Sequence, residues 1–247
     1  MRKIYFLHIP KTGGSSINNI FKKQFCNSNY LDHIENNIEE IDIILEQPNF
    51  YLSGHIPYPR IHEKLCKINK LYKFVFIRNP YDHIASHISW IYNLSRDIKF
   101  LRKHPIEVQN LSIYLNKFNF SCLKDFRIMI NELPPYGIAA FDNRQTRYFS
   151  DPPDNNYVDD VYFNRAVSVI HKFDFIGFFE NFTYCINNLS KKLNIEIDSL
   201  PVQNSNNKKL IDKDLLKSKY YDFLHNFIKH DLRLYDDSRN IKNFLYN

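Results

Sequence analysis

The stretch that most constrains this chain lies at its start. Ile4 to Ile9 form an apolar run of strand-forming residues that breaks at once into Pro10-Lys11-Thr12-Gly13-Gly14-Ser15-Ser16. Ile17, Ile20, Phe21 and Phe25 then recur at the spacing of one helix face. A strand, a glycine turn and an amphipathic helix make the first half of a βαβ unit, which commits the chain to a parallel sheet covered by crossover helices. Only 5 glycines occur among 247 residues, so an adjacent pair at this turn points to a backbone requirement there.

Three further apolar runs continue the pattern: Phe50 to Leu52, Tyr72 to Ile77 and Phe173 to Phe179. Helices are expected to begin near Ser15, Tyr81, Val158 and Asn181, the last carrying Phe182, Ile186, Leu189 and Leu193 as its apolar stripe. The resulting expectation is an α/β fold of three layers, α/β/α, around a central parallel sheet. At 44% hydrophobic and 16% aromatic, residues 1–247 have ample material for one globular domain. Tyr92 to Phe149 holds apolar positions but no clear strand, and reads as a helical insertion over one end of the sheet. Ligands of open parallel sheets bind beyond the carboxyl ends of the strands, so that insertion is placed to shape an acceptor site.

Charge and cysteine content narrow the partners. A formal charge of +6 favours anionic ligands, yet 33 basic against 27 acidic residues is too mild an excess for a nucleic-acid footprint. Cys26, Cys66, Cys122 and Cys185 form no CxxC pair, and buried thiols are the default expectation. The opening apolar run is interrupted too early for a signal peptide, and no run approaches the roughly 20 residues of a membrane span, so a cytoplasmic location is expected.

The first turn has the makings of an anion cradle. Free amides and the positive end of a helix dipole meet there, Lys11 adds a full charge, and Ser15 and Ser16 are candidates to cap the helix and donate hydroxyls. It is not the GxxxxGK[ST] phosphate loop, because here the lysine precedes the glycines. A second segment, KFVFIRNPYDHIASHISW, ends a strand at Arg78 and starts a helix at Tyr81, with Ser86 about two turns in. Arginine at a strand's carboxyl end can bind a phosphate bidentately, and serine can add a hydroxyl to the same group.

PKTGGSS after a strand, followed by a strand ending in IRNPY with a serine eight residues past the arginine, resembles the two donor-binding signatures of sulfotransferases that use 3'-phosphoadenosine 5'-phosphosulfate (PAPS). The likeness is to the branch containing heparan sulfate 2-O-sulfotransferases and related bacterial carbohydrate sulfotransferases, and it implies their P-loop-like fold. It implies a cradle for the 5'-phosphosulfate at Lys11, Thr12, Gly13, Gly14, Ser15 and Ser16, and a 3'-phosphate site at Arg78 and Ser86. YLSGHIP matches the strand-end Gly-His of that branch, which implies His55 as catalytic base. DNRQTRYFS resembles a DNxQTRxLxG-like segment, with Ser150 in place of the glycine. FDFIGFFENFTYCINNL resembles a scaffold strand and helix, and IKHDLRLYDD the closing helix.

The resemblance implies transfer of a sulfuryl group from PAPS to a carbohydrate hydroxyl, with Lys11 stabilising the leaving phosphate and 3'-phosphoadenosine 5'-phosphate (PAP) as product. Cationic side chains and amides suffice for such a transfer, so no metal is expected. His83 and His87 stand four apart, but HIASH lacks the glutamate of HExxH and is left without a metal, while His62 and Glu63 read as structural. Arg144 and Arg147 are candidates to bind an acidic acceptor or the donor, with solvated surface residues as the simpler alternative. Lys208 and Lys209 could reach the 3'-phosphate as a late basic loop, against a plain solvated pair. Tyr157, Tyr162 and Phe163 read as core rather than a sugar platform. Two rivals remain at this level: a P-loop-like nucleotide kinase or NTPase, and a nucleotide- or glycan-binding protein without catalysis.

Overall fold

The computed structural model describes residues 2–197 and 220–245. Five strands form one parallel sheet: β1 (Lys3–Leu7), β2 (Tyr30–Leu31), β3 (Phe50–Gly54), β4 (Leu71–Ile77) and β5 (Phe175–Phe178), in the order β2-β3-β1-β4-β5. Four of them are the runs expected from sequence. The fifth, β2, spans only Tyr30 and Leu31, too short for alternation or an apolar run to announce it.

Strand order explains where a ligand can sit. From β1 the chain runs through α1 (Gly14–Lys22) to the far edge at β2, and returns through α2 (Glu40–Leu45) to β3 beside β1. It then crosses through α3 (Tyr58–Leu65) to β4 on the other side of β1. Connections leave on opposite sides of β1, which makes its carboxyl end the topological switch point, where a crevice opens. Register brings the ends level: Leu7 lies opposite Gly54 and Val75, and the His8 amide donates to the Gly54 carbonyl at 3.1 Å.

Phe6, Phe50, Phe74, Phe76 and Phe175 are fully buried in the sheet and fill the core against Ile17 and Phe21 of α1 and Ile61 and Leu65 of α3. Phe6 stacks on Phe74 with centroids 4.7 Å apart. Each such side chain contributes about 1.5–3 kcal/mol by leaving water. Helices α10 (Asp160–Ile170) and α11 (Phe182–Leu193) begin within two residues of the expected positions and complete the outer layers.

Between β4 and α10 the described chain is helical, as expected: α4 (Pro80–Leu94), α5 (Ile98–Leu101), α6 (Ile106–Leu115), α7 (Leu123–Asn131), α8 (Pro135–Phe141) and α9 (Arg144–Ser150). Helices α4, α6, α7 and α8 share a second apolar cluster, which includes Ile84, Ile88, Leu111, Phe126 and Met129, with Leu224, Phe227 and Ile228 of α12 (Tyr221–Leu245), while Tyr148 and Phe149 of α9 pack into the core of the sheet. No described helix is long and apolar enough to cross a membrane.

Two expectations about burial are corrected. Of the four cysteines only Cys185 is buried, accepting the Phe178 amide at 3.3 Å; Cys26 and Cys66 are exposed and Cys122 is half-buried, because these three lie at helix ends and in turns rather than on apolar stripes. Phe163 is core, but Tyr157, in the loop before α10, is 51% exposed.

Candidate active site at the carboxyl ends of the sheet

The turn after β1 is built around its two glycines. Gly13 takes φ +91 at the N-cap of α1, a left-handed conformation costly for any residue with a Cβ. Gly14 is required for a different reason: a Cβ there would lie 1.9 Å from Nε2 of His8. Lys11 is also left-handed, at φ +68. Inside the turn, Thr12 Oγ1 donates to the Ile9 carbonyl at 2.8 Å and the Ser16 amide to the Gly13 carbonyl at 3.1 Å. The expected serine cap is corrected, since Gly13 occupies the cap position and no side chain caps the helix. Ser15 and Ser16 instead sit in the first turn, exposed and half-buried, beside amides that have no partner one turn earlier in the helix.

Arg78 joins this turn from β4. Its Nη1 donates to the Lys11 carbonyl at 3.0 Å, and its guanidinium lies 4.5 Å from the centre of the Phe179 ring. Burial pushes the Arg78 pKa down, and burial followed by the Arg78 charge does the same to Lys11. Among the described residues neither cation is ion-paired and Nε of Arg78 is buried without a partner. Two partly desolvated, unpaired cations at an open helix N-terminus call for a polyanion. Ser86 lies half-buried three residues past His83, whose Nε2 donates to the Pro10 carbonyl at 2.8 Å. That face of α4 therefore points toward the turn. Burial pushes the His83 pKa down to about 3, so it serves the loop as a neutral hydrogen-bond donor.

The same arginine is fixed from behind by residues that sequence reasoning did not single out. Gln145 of α9 pairs with both backbone groups of Arg78, Oε1 accepting from the amide and Nε2 donating to the carbonyl, each at 2.8 Å. Glu180 accepts from the Asn79 amide at 2.6 Å and, through its other oxygen, from the Tyr235 hydroxyl at 2.9 Å. Asp231 of α12 accepts from the amides of Gln145 and Thr146 at 3.1 and 2.7 Å. The sequence signal for Gln145 is its place in the DNRQTR stretch of the family-like segment, which by itself assigns the glutamine no role.

His55 stands just past β3. Its Nδ1 lies 2.6 Å from the His8 carbonyl, an acceptor only, so Nδ1 carries the proton and Nε2 holds the lone pair in the neutral ring. Burial pushes its pKa down, opposed chiefly by Glu35, and that keeps the imidazole neutral near pH 7. A neutral histidine with a fixed tautomer at the mouth of a site can act as a general base. Glu35 follows β2 in a short 3-10 turn (Ile34–Asn36); its Oε2 accepts from the His55 amide at 2.8 Å and its Oε1 from Nδ1 of His33 at 3.0 Å. Donor atoms of His33, Glu35 and His55 all fall within 4.8 Å of one another, the only group of this kind among the described residues, and its short contacts are these hydrogen bonds.

The other expected residues divide. Arg144 is half-buried, with Nη1 on the Ala139 carbonyl at 2.9 Å, Nη2 on the Tyr148 hydroxyl at 3.2 Å and Nε buried without a partner. Its charge is felt at His55, His83 and His87, which puts it at the site. Arg147 turns into the fold instead: it is 4% exposed, ion-paired with Asp142 at 3.0 Å and bonded to the Asp142, Pro153 and Asn156 carbonyls. Those contacts occupy its guanidinium and correct the reading of Arg147 as a ligand-binding residue. Lys208 and Lys209 lie outside the described residues.

Unpaired cations around an open helix N-terminus at a sheet's switch point define a class, the α/β proteins that hold a polyanionic group there. Within it, this chain belongs to the sulfotransferase family, whose profile matches residues 1–236. Sulfuryl transfer is the chemistry that membership carries. Among solved structures the chain is similar to mouse sulfotransferase SULT7A1 complexed with PAP, at 12% identity over 92% of this chain and 85% of that one, with a TM-score of 0.47. It is also similar to a sulfotransferase from Alicyclobacillus acidocaldarius, at 10% identity over 95% and 96% of the two chains, again with a TM-score of 0.47. A search of curated protein sequences found no match.

Proposed function

We infer that the protein transfers a sulfuryl group from PAPS to a hydroxyl of a carbohydrate or glycoconjugate acceptor. One observation carries the reading: the Arg78 side chain bonds the Lys11 carbonyl at 3.0 Å, joining two donor-type segments 67 residues apart, and His55 projects from the adjacent strand end. In this reading Lys11, the Gly13, Gly14 and Ser15 amides and the Ser15 and Ser16 hydroxyls hold the 5'-phosphosulfate, Thr12, buried with its hydroxyl on the Ile9 carbonyl, braces the turn, and Arg78 and Ser86 hold the 3'-phosphate. Lys208 and Lys209, which lie outside the described residues, are proposed to add charge for the 3'-phosphate.

His55 accepts the acceptor's proton on Nε2 as its oxygen forms the new bond to sulfur. The bond from sulfur to the 5'-phosphate oxygen breaks, and Lys11 neutralises the charge left on that phosphate. Arg144 has no carboxylate partner among the described residues, which supports an acceptor carrying an acidic group near the reacting hydroxyl. A three-layer domain over residues 1–247 houses the whole reaction in this proposal.

Incubation of the purified protein with radiolabelled PAPS and a panel of neutral and acidic glycans tests it. Label in a glycan, with PAP released in equal amount, is the expected result. Transfer only to non-carbohydrate acceptors would overturn the acceptor class, and absence of transfer to any acceptor the activity.

A further inference from the structure

Glu35 approaches the His55 backbone through a gap that only glycine leaves open. A Cβ on Gly54 would lie 2.6 Å from Glu35 Oε2, 2.5 Å from Ile34 Cγ1 and 2.8 Å from the Ile34 amide. Glycine at the end of β3 thus lets the turn after β2 close onto the strand and deliver the carboxylate to the His55 amide. His33 takes φ +51, uncommon for a residue with a Cβ, and in that conformation sets Nδ1 against the other carboxylate oxygen. Local strain held by surrounding packing is a recurrent feature of functional sites.

Resting on the reading of His55 as base, we propose that Glu35 is its positioning carboxylate, seated by Gly54, and that His33 is the counter-charge that tempers it. The Glu35 hydrogen bond fixes the backbone from which His55 projects. Its negative charge favours the imidazolium formed as the acceptor proton arrives. His33, edge-on to His55 with centroids 5.5 Å apart, opposes that charge whenever it is protonated. The other groups bearing on His55 are the His8 ring, 4.1 Å away, Arg144 from α9 and His87 from α4. None of them carries negative charge, so Glu35 is the carboxylate that bears on His55.

The two partners predict shifts of opposite sign, which a merely structural role does not. NMR titration of the His55 ring in wild type, Glu35→Gln and His33→Ala reads them directly, alongside pH profiles of kcat and KM. Glu35→Gln keeps a hydrogen-bond acceptor but loses the charge, and is expected to move the His55 midpoint and the acid limb of kcat to lower pH, with kcat down about tenfold and acceptor KM little changed. His33→Ala is expected to move both upward. Gly54→Ala is expected to reproduce the Glu35→Gln shift by displacing the carboxylate. Unmoved His55 midpoints in the first two variants, or shifts in the same direction, would overturn the proposal. Midpoints that move as stated while the kcat profile stays fixed would support the Glu35 assignment and count against His55 as the base.

Discussion

Gln145 completes both backbone hydrogen bonds of Arg78 with one side-chain amide, at 2.8 Å each way. A strand end that would otherwise face its ligand with loose backbone is thereby locked from the α9 side. Gln145→Leu leaves the guanidinium in place but frees its backbone. Losing two such bonds, at about 0.5–1.5 kcal/mol each, predicts PAP affinity roughly tenfold or more weaker. Calorimetry with PAP and saturation kinetics check this: donor KM rises while kcat holds.

Gly14 and His8 define a second sensitive contact. A Cβ 1.9 Å from the buried His8 ring forces the ring or the turn itself to move. Gly14→Ala is predicted to abolish PAP binding while circular dichroism remains that of a folded α/β protein. Unaltered PAP affinity in this variant would refute a phosphate-binding role for the turn.

Arg147 yields the opposite kind of prediction. Removing one partner from a buried ion pair strands the other, at about 3–5 kcal/mol. Arg147→Met should therefore lower the thermal midpoint by many degrees, yet leave KM for donor and acceptor unchanged in the protein that remains folded. Differential scanning calorimetry beside steady-state kinetics separates the two effects.

The contrast between Arg144 and Arg147 shows where sequence is silent. The parallel sheet, the glycine turn, Arg78 at a strand end and His55 past another are all written in local patterns: apolar runs, breakers and helical spacing. Whether an arginine three residues from another faces a ligand or a buried aspartate depends on Asp142 and on the Pro153 and Asn156 carbonyls, contacts made only once α9 has packed. Glu35 and Gln145 escape for the same reason. Each acts through a backbone group far along the chain, and no periodicity marks such a pair. The two-residue β2 escapes because two residues carry no pattern at all.

The proposed catalysis by cationic side chains makes a further distinction from nucleotide kinases, which hold their phosphates through Mg²⁺. With Lys11, Arg78 and helix amides at the turn, sulfuryl transfer is predicted to persist in excess chelator. A strict requirement for a divalent ion, restored by adding it back, would favour the kinase-like alternative.

The central claim is that His55 is the base. His55→Ala should bind PAP with wild-type affinity by calorimetry, since His55 does not touch the proposed phosphate sites, while kcat falls about 10²–10⁴-fold. In the wild type, activity should be full at neutral pH and be lost only as the pH drops below the ordinary histidine value of about 6.5, because burial depresses the His55 pKa and the neutral ring is the active form. A His55→Ala enzyme that binds PAP normally and turns over near the wild-type rate would contradict the account.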